Sequence, residues 1–167
     1  MTIRNATRIT VLATGGTIDK EYNLDSEMVI GEPWVREILS RVITDVEFDV
    51  QSILKLDSLD MTDADRAVLT EALNKVDGDR VLITHGTDTM PETARYLLEN
   101  ANLSEKVVVL CGSIQPAIMR TSDADFNVGA AVAALNLLEP GVYISMSGRI
   151  FAAETVRKDR SRGIFEG

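Results

Sequence analysis

One cysteine and one histidine, Cys111 and His85, occur in a chain of 167 residues. A lone cysteine excludes an intramolecular disulfide and a thiolate cage for a metal. A lone histidine leaves any imidazole-based metal site to be completed by carboxylates. Aromatic residues are scarce at 5%, so a core must rest on Val, Ile, Leu and Ala. No apolar run is long enough to span a bilayer, and the opening Met1-Thr2-Ile3-Arg4-Asn5 carries no apolar leader. A cytoplasmic protein without membrane association is therefore expected. Positive charge is in deficit, with 17 Lys and Arg against 26 Asp and Glu. A surface of that sign repels a phosphate backbone. The basic cluster Arg157-Lys158-Asp159-Arg160-Ser161-Arg162 is short and interrupted, so no nucleic-acid partner is expected.

What is present reads as alternating strands and helices. Arg8 to Ala13, Arg80 to Thr84, Lys106 to Leu110 and Val142 to Met146 are short, β-branched and apolar on both faces, as in strands buried between two layers. Val46 to Val50 alternates in polarity and adds a further extended segment. Between these lie helical patterns. Trp34, Ile38 and Val42 share one face behind Pro33. Ala64, Val68, Leu69 and Ala72 do so behind a cap at Thr62 or Asp63. Pro91 opens a helix to Asn100, and Asp125 to Leu138 forms another, stopped by Pro140. The segment after Arg157 is polar and shows no clear period. These elements predict an α/β fold with an open, mainly parallel sheet flanked by helices on both faces, of Rossmann or flavodoxin type, in a single domain.

In such sheets ligands bind beyond the carboxyl ends of the strands. Three segments there combine glycine with hydroxyl groups: Ala13-Thr14-Gly15-Gly16-Thr17, Thr84-His85-Gly86-Thr87-Asp88-Thr89 and Cys111-Gly112-Ser113. Glycine lets backbone N–H groups approach a ligand, such groups can stabilise an oxyanion, and a nearby threonine hydroxyl can act as a nucleophile. A neutral hydroxyl needs a base, and Asp88 and a desolvated lysine are the candidates. His85 is read as a hydrogen-bonded core residue. The spacing of neither a dinucleotide fingerprint nor a phosphate-binding P-loop occurs.

Thr14-Gly15-Gly16-Thr17-Ile18 and His85-Gly86-Thr87-Asp88-Thr89-Met90 resemble the two signature motifs of the asparaginase/glutaminase family. Asp57-Ser58-Leu59-Asp60-Met61 resembles its loop for the substrate carboxylate. The run from Val109 to Pro116 with Asp125-Phe126-Asn127, and the stretch from Gly148 to Lys158, resemble its later segments. The resemblance implies hydrolysis of L-asparagine to L-aspartate and ammonia through a threonine acyl-enzyme, with L-glutamine as the alternative substrate. It implies Thr17 as nucleophile, Tyr22 assisting proton transfer, and a Thr87–Asp88–Lys158 relay with Lys158 as base. A lysine serves as base only with a depressed pKa, which burial can supply. Gly16, Ser58, Leu59, Asp88 and Ser113 would line the substrate, and N–H groups at Thr17 and Thr87 would form the oxyanion hole. No metal or organic cofactor is implied.

The sequence departs from the family at three points. Leu59 stands where a Gln is usual, and losing that hydrogen bond would weaken substrate binding by about 1–3 kcal/mol. Lys158 aligns only across a gap, with Ala153 at the ungapped position. Residues 1–167 match only the family's N-terminal domain. A site without the usual second domain is expected to be open and weakly binding, and self-association into a homodimer or larger assembly is expected to rebuild part of its wall. A non-catalytic amino-acid sensor and a general anion-binding α/β protein are the competing readings.

Overall fold

The computed structural model describes residues 3–167. The chain forms β1 (Arg8–Gly15), β2 (Lys20–Tyr22), β3 (Met28–Ile30), α1 (Val35–Ser40), β4 (Glu47–Leu56), α2 (Asp63–Lys75), β5 (Arg80–Thr84) and α3 (Met90–Asn100). It continues through β6 (Val107–Cys111), α4 (Ala124–Leu135), β7 (Gly141–Met146), β8 (Arg149–Ala152), β9 (Arg157–Asp159) and β10 (Ile164–Glu166). Six strands make one sheet in the order β4-β1-β5-β6-β7-β8. All neighbours are parallel except β7 and β8. The parallel part has the flavodoxin-type order, in which the connection from β1 runs to one side and that from β5 to the other.

The apolar strands face both ways because both faces are covered. Val81, Ile83, Val108 and Leu110 pack under Leu69, Leu73, Ala94 and Leu97 of α2 and α3. Leu82, Val107, Val109 and Cys111 pack on the opposite face against Val35, Ile38 and Leu39 of α1 and Val128, Ala131 and Leu135 of α4. Thr62 caps α2 in a reciprocal pair with Asp65, which settles the choice between Thr62 and Asp63. The buried stripe of α2 is Arg66, Leu69, Thr70 and Leu73, while Ala64 and Val68 are exposed. Tertiary contact with α3 rotates the expected face by about a residue. α1 is shorter than expected: Val42 N–H turns back to the Leu39 carbonyl, and the Val42 side chain lies largely in solvent.

The last segment differs most from expectation. Residues after Arg157 form a small antiparallel hairpin, β9–β10. Its turn is held by Asp159 Oδ1, which accepts from Ser161 N, Ser161 Oγ and Arg162 N, with Gly163 at φ 66°. One apolar side chain anchors it. Phe165 is buried against Phe151 of β8, ring centroids 6.3 Å apart. Phe165→Ala is expected to lower the free energy of unfolding by about 3–5 kcal/mol in urea titration. It should also loosen Lys158, whose backbone pairs with Phe165 in the hairpin.

Candidate active site

β1 and β5 are neighbours, and their carboxyl ends open into the two threonine loops. Thr14 Oγ1 donates to the Thr84 carbonyl at 2.9 Å, tying one loop to the other. Gly16 N–H donates to Leu56 O at 2.9 Å, and Gly16 has φ 84°, a left-handed conformation that a side chain would strain. A methyl group on Gly16 would collide with the backbone of Gly86, and one on Gly86 would lie 2.6 Å from Ser58 Oγ. The two loops therefore meet backbone to backbone, and the Ser58 side chain closes against Gly86. Thr17 and Thr87 each follow this contact by one residue.

Lys158 arrives from β9. Its Nζ donates to Thr87 Oγ1 at 2.7 Å and to Asp88 Oδ1 at 2.8 Å. The Lys158 side chain is only 8% exposed, whereas that of Asp88 is 38% exposed. Burial of an ammonium is costly unless it is paired and hydrogen-bonded, and the carboxylate and hydroxyl do both here. The Phe165 ring lies beneath Nζ at 5.9 Å to its centroid. Arg160 adds a contact to the Asp88 carbonyl at 3.3 Å, and Arg95 of α3 donates to Val156 O at 2.7 Å just before the hairpin. Lys158 reaches the second loop, while Ala153, at the ungapped position, is buried in the core.

The remaining expected residues separate into two groups. Ser58 is buried in a short 3₁₀ turn capped by Asp57, and its carbonyl accepts from Thr89 Oγ1 at 2.7 Å. The Asp57 carboxylate also pairs with Lys20 at 2.8 Å, so the Ser58 turn is braced from β2. Leu59 is largely exposed, with only its N–H engaged, on Asp57. Ser113 is buried, but its hydroxyl donates to the Gln115 carbonyl and is spent there. Tyr22 ends β2, on a hairpin with β3, and its ring is 62% exposed. The structure thus brings Gly16, Ser58, Thr87, Asp88 and Lys158 into one cluster beside Thr17. It leaves Tyr22 and Leu59 facing solvent.

A parallel sheet of this order, with threonine, aspartate and a buried lysine gathered at its switch point, defines a flavodoxin-like α/β protein whose candidate site lies between its first and third parallel strands. Within that class the chain belongs to the asparaginase family. The family model described as "Asparaginase, N-terminal" matches residues 8–165. A protein named "Probable L-asparaginase periplasmic" from Haemophilus influenzae is 33% identical over 168 residues, covering 93% of this chain and 47% of the relative. A "Glutaminase-asparaginase" from Acinetobacter glutaminasificans is 37% identical over 112 residues, covering 63% of this chain and 34% of the relative. The solved thermostable L-asparaginase from Thermococcus kodakarensis superposes with a TM-score of 0.87 at 27% identity, over 96% of this chain and 51% of that one. The chain spans about half the length of these longer relatives. No helix among the described residues is long and apolar enough to cross a membrane. Since one relative is named as periplasmic, kinship does not single out a compartment.

The structure adds a residue that the motifs left out. Asp19, two positions after Thr17, is 1% exposed. Its Oδ1 accepts from Trp34 N–H at 2.8 Å, its carbonyl accepts from Gly31 N–H, and its own N–H donates to Gly16 O. It therefore fastens both ends of the β2–β3 hairpin to the Thr17 turn. Burial pushes its carboxyl up to about 7, against the lowering effect of the Trp34 hydrogen bond and of Lys55. Glu21 and Glu32 push the same way as burial. Because the folded value exceeds the unfolded one, the protonated acid favours the fold. That contribution is complete below the unfolded pKa of 3.8 and is lost as pH rises to about 7. Asp19→Asn keeps the acceptor for Trp34 and removes the titration. Its melting temperature should exceed that of the wild type by a margin that grows from about pH 4 to pH 7 and then levels off, a stabilisation on the order of 2–4 kcal/mol. A margin independent of pH would contradict the assignment.

Proposed function

We propose that the protein is an amidohydrolase that converts L-asparagine to L-aspartate and ammonia, with L-glutamine as a second substrate. The observation that carries this reading is Lys158 Nζ held between Thr87 Oγ1 and Asp88 Oδ1, beside the loop that presents Thr17. Thr17 Oγ attacks the side-chain amide carbon, Tyr22 assists the proton's departure, and ammonia leaves from a threonine ester. Water then cleaves the ester, with Lys158, as the neutral amine rather than the ammonium paired to Asp88, drawing the proton through Thr87. Backbone N–H groups at Thr17 and Thr87 take the negative charge that develops on the amide oxygen in each step. Fixed donors at that point contribute about 3–4 kcal/mol each in comparable sites. Ser58 and Asp88 hold the charged end of the amino acid, with Gly16, Leu59 and Ser113 around it.

The relatives named as asparaginases and as a glutaminase-asparaginase support this substrate class. Residues 1–167 are read as one domain that carries both threonine motifs and the lysine. The exposure of Asp88 and of the Leu59 side chain favours a site completed by another surface, and a homodimer or larger homo-oligomer is proposed to supply it.

Ammonia release measured on asparagine and glutamine in parallel tests the reading. Thr17→Ala, Thr87→Val and Lys158→Met are each expected to lower turnover on the order of a thousandfold or more, with the fold intact by circular dichroism. Near-normal turnover by Lys158→Met would remove the relay as written. No ammonia from the wild type, with a melting temperature raised by asparagine, would favour a binding protein instead.

A further inference from the structure

His85 is the chain's one histidine and is fully buried directly beneath the second threonine loop. It lies in a line of hydrogen bonds with unambiguous ends. Arg66 Nε, which can only donate, reaches Thr93 Oγ1 at 3.0 Å. Thr93 Oγ1 lies 2.8 Å from His85 Nε2. His85 Nδ1 lies 2.7 Å from the Gly86 carbonyl, which can only accept. The Gly86 carbonyl end requires a hydrogen on Nδ1, and in the neutral ring Nε2 is then bare and accepts from Thr93 Oγ1, which itself accepts from Arg66; Met61 Sδ lies 3.2 Å from Nε2 and 3.6 Å from Thr93 Oγ1. Arg66 is in turn held by Asp63 at 2.9 Å, which anchors the line to the first turn of α2.

The consequence lies one bond further on. In a planar trans peptide the carbonyl and the N–H point in opposite directions. The Gly86 carbonyl is drawn toward His85, so the N–H of the same peptide, which belongs to Thr87, points the opposite way, away from His85. No acceptor among the described residues takes that N–H. We propose that His85 is a positioning residue: as the Nδ1–H tautomer it fixes the Gly86–Thr87 peptide so that the Thr87 N–H faces the developing oxyanion. This rests on the amidohydrolase reading above. Burial holds the imidazole neutral, with its pKa lowered to about 4, and the nearby Arg66 charge acts in the same direction. A charged ring would place a proton on Nε2 and set it against the Thr93 hydroxyl.

Two substitutions divide the ring's two functions. His85→Asn retains a donor where Nδ1 stands and loses the reach to Thr93. His85→Gln retains the reach to Thr93 and loses the donor to Gly86. The expected result is a fall in kcat on the order of a hundredfold for His85→Gln with KM little changed, since an oxyanion contact acts in the transition state. His85→Asn should keep most of kcat even where both variants lose thermal stability. Equal losses in both, or losses in KM alone, would overturn the proposal in favour of a purely structural histidine. A second readout does not depend on turnover. Nitrogen-15 shifts of the single imidazole should show a protonated Nδ1 and a bare Nε2 from neutral pH down toward about 4. An Nε2–H tautomer would overturn the proposal alone. A wild-type protein without turnover on any amide defeats the functional reading first and takes the catalytic part of this proposal with it.

Discussion

The site depends on one close approach, the backbone of Gly16 against that of Gly86. Parallel pairing of β1 with β5 brings the two loops side by side, and the absence of a side chain at Gly16 lets them touch. Everything else at the site is placed relative to that contact. Ser58 closes against Gly86 from the third side, Thr14 ties the loops from below, and Thr17 and Thr87 project just beyond. A Cβ at Gly16 would part the loops and with them the two threonines, and one at Gly86 would displace Ser58.

Around this contact the polar groups are arranged by what each can donate or accept. Lys158 is buried only because a carboxylate and a hydroxyl meet it. His85 is held neutral by burial, and a hydroxyl and a carbonyl meet its two nitrogens. Asp19 is the uneasy member, nearly sealed from water with the Trp34 N–H as its main compensation, and it also lifts the thiol of Cys111, which burial pushes up to about 12. Positions at which a polar group is retained against its solvation preference are those that hold the loops in register. The same economy appears in the hairpin of residues 157–166, where one buried phenylalanine anchors a segment otherwise made of exposed charge.

The parts of the fold legible from sequence were those whose physics is local. β5 and β6 are apolar on both faces because both faces are covered, and that pattern survives without knowledge of the partners. The Thr17 and Thr87 loops were legible because glycine and hydroxyl residues directly after buried strands have few other reasons to be there. The apolar pattern places the stripe of α2 about a residue away from its observed position, with Val68 in solvent and Arg66 in the core, because Arg66 is held there by its bonds to Thr93 and Asp63. Asp19 is hidden in the sequence for the same reason. An acid after a turn suggests solvent, and the hydrogen bond that compensates its burial comes from Trp34, fifteen positions away.

The sequence by itself determined the alternation of strands and helices, the parallel sheet, the two threonine loops and the family they resemble, since these follow from side-chain period and from backbone freedom at glycine. Only the tertiary structure decided how Lys158 meets the second loop, which histidine nitrogen faces the Gly86 carbonyl, and which carboxylate is stripped of water. Those depend on distances between residues tens of positions apart: Lys158 to Thr87 across β9, and Arg66 through Thr93 to His85 across two helices. A hydrogen bond of 2.7 Å is set by how elements pack, and no local pattern encodes that separation.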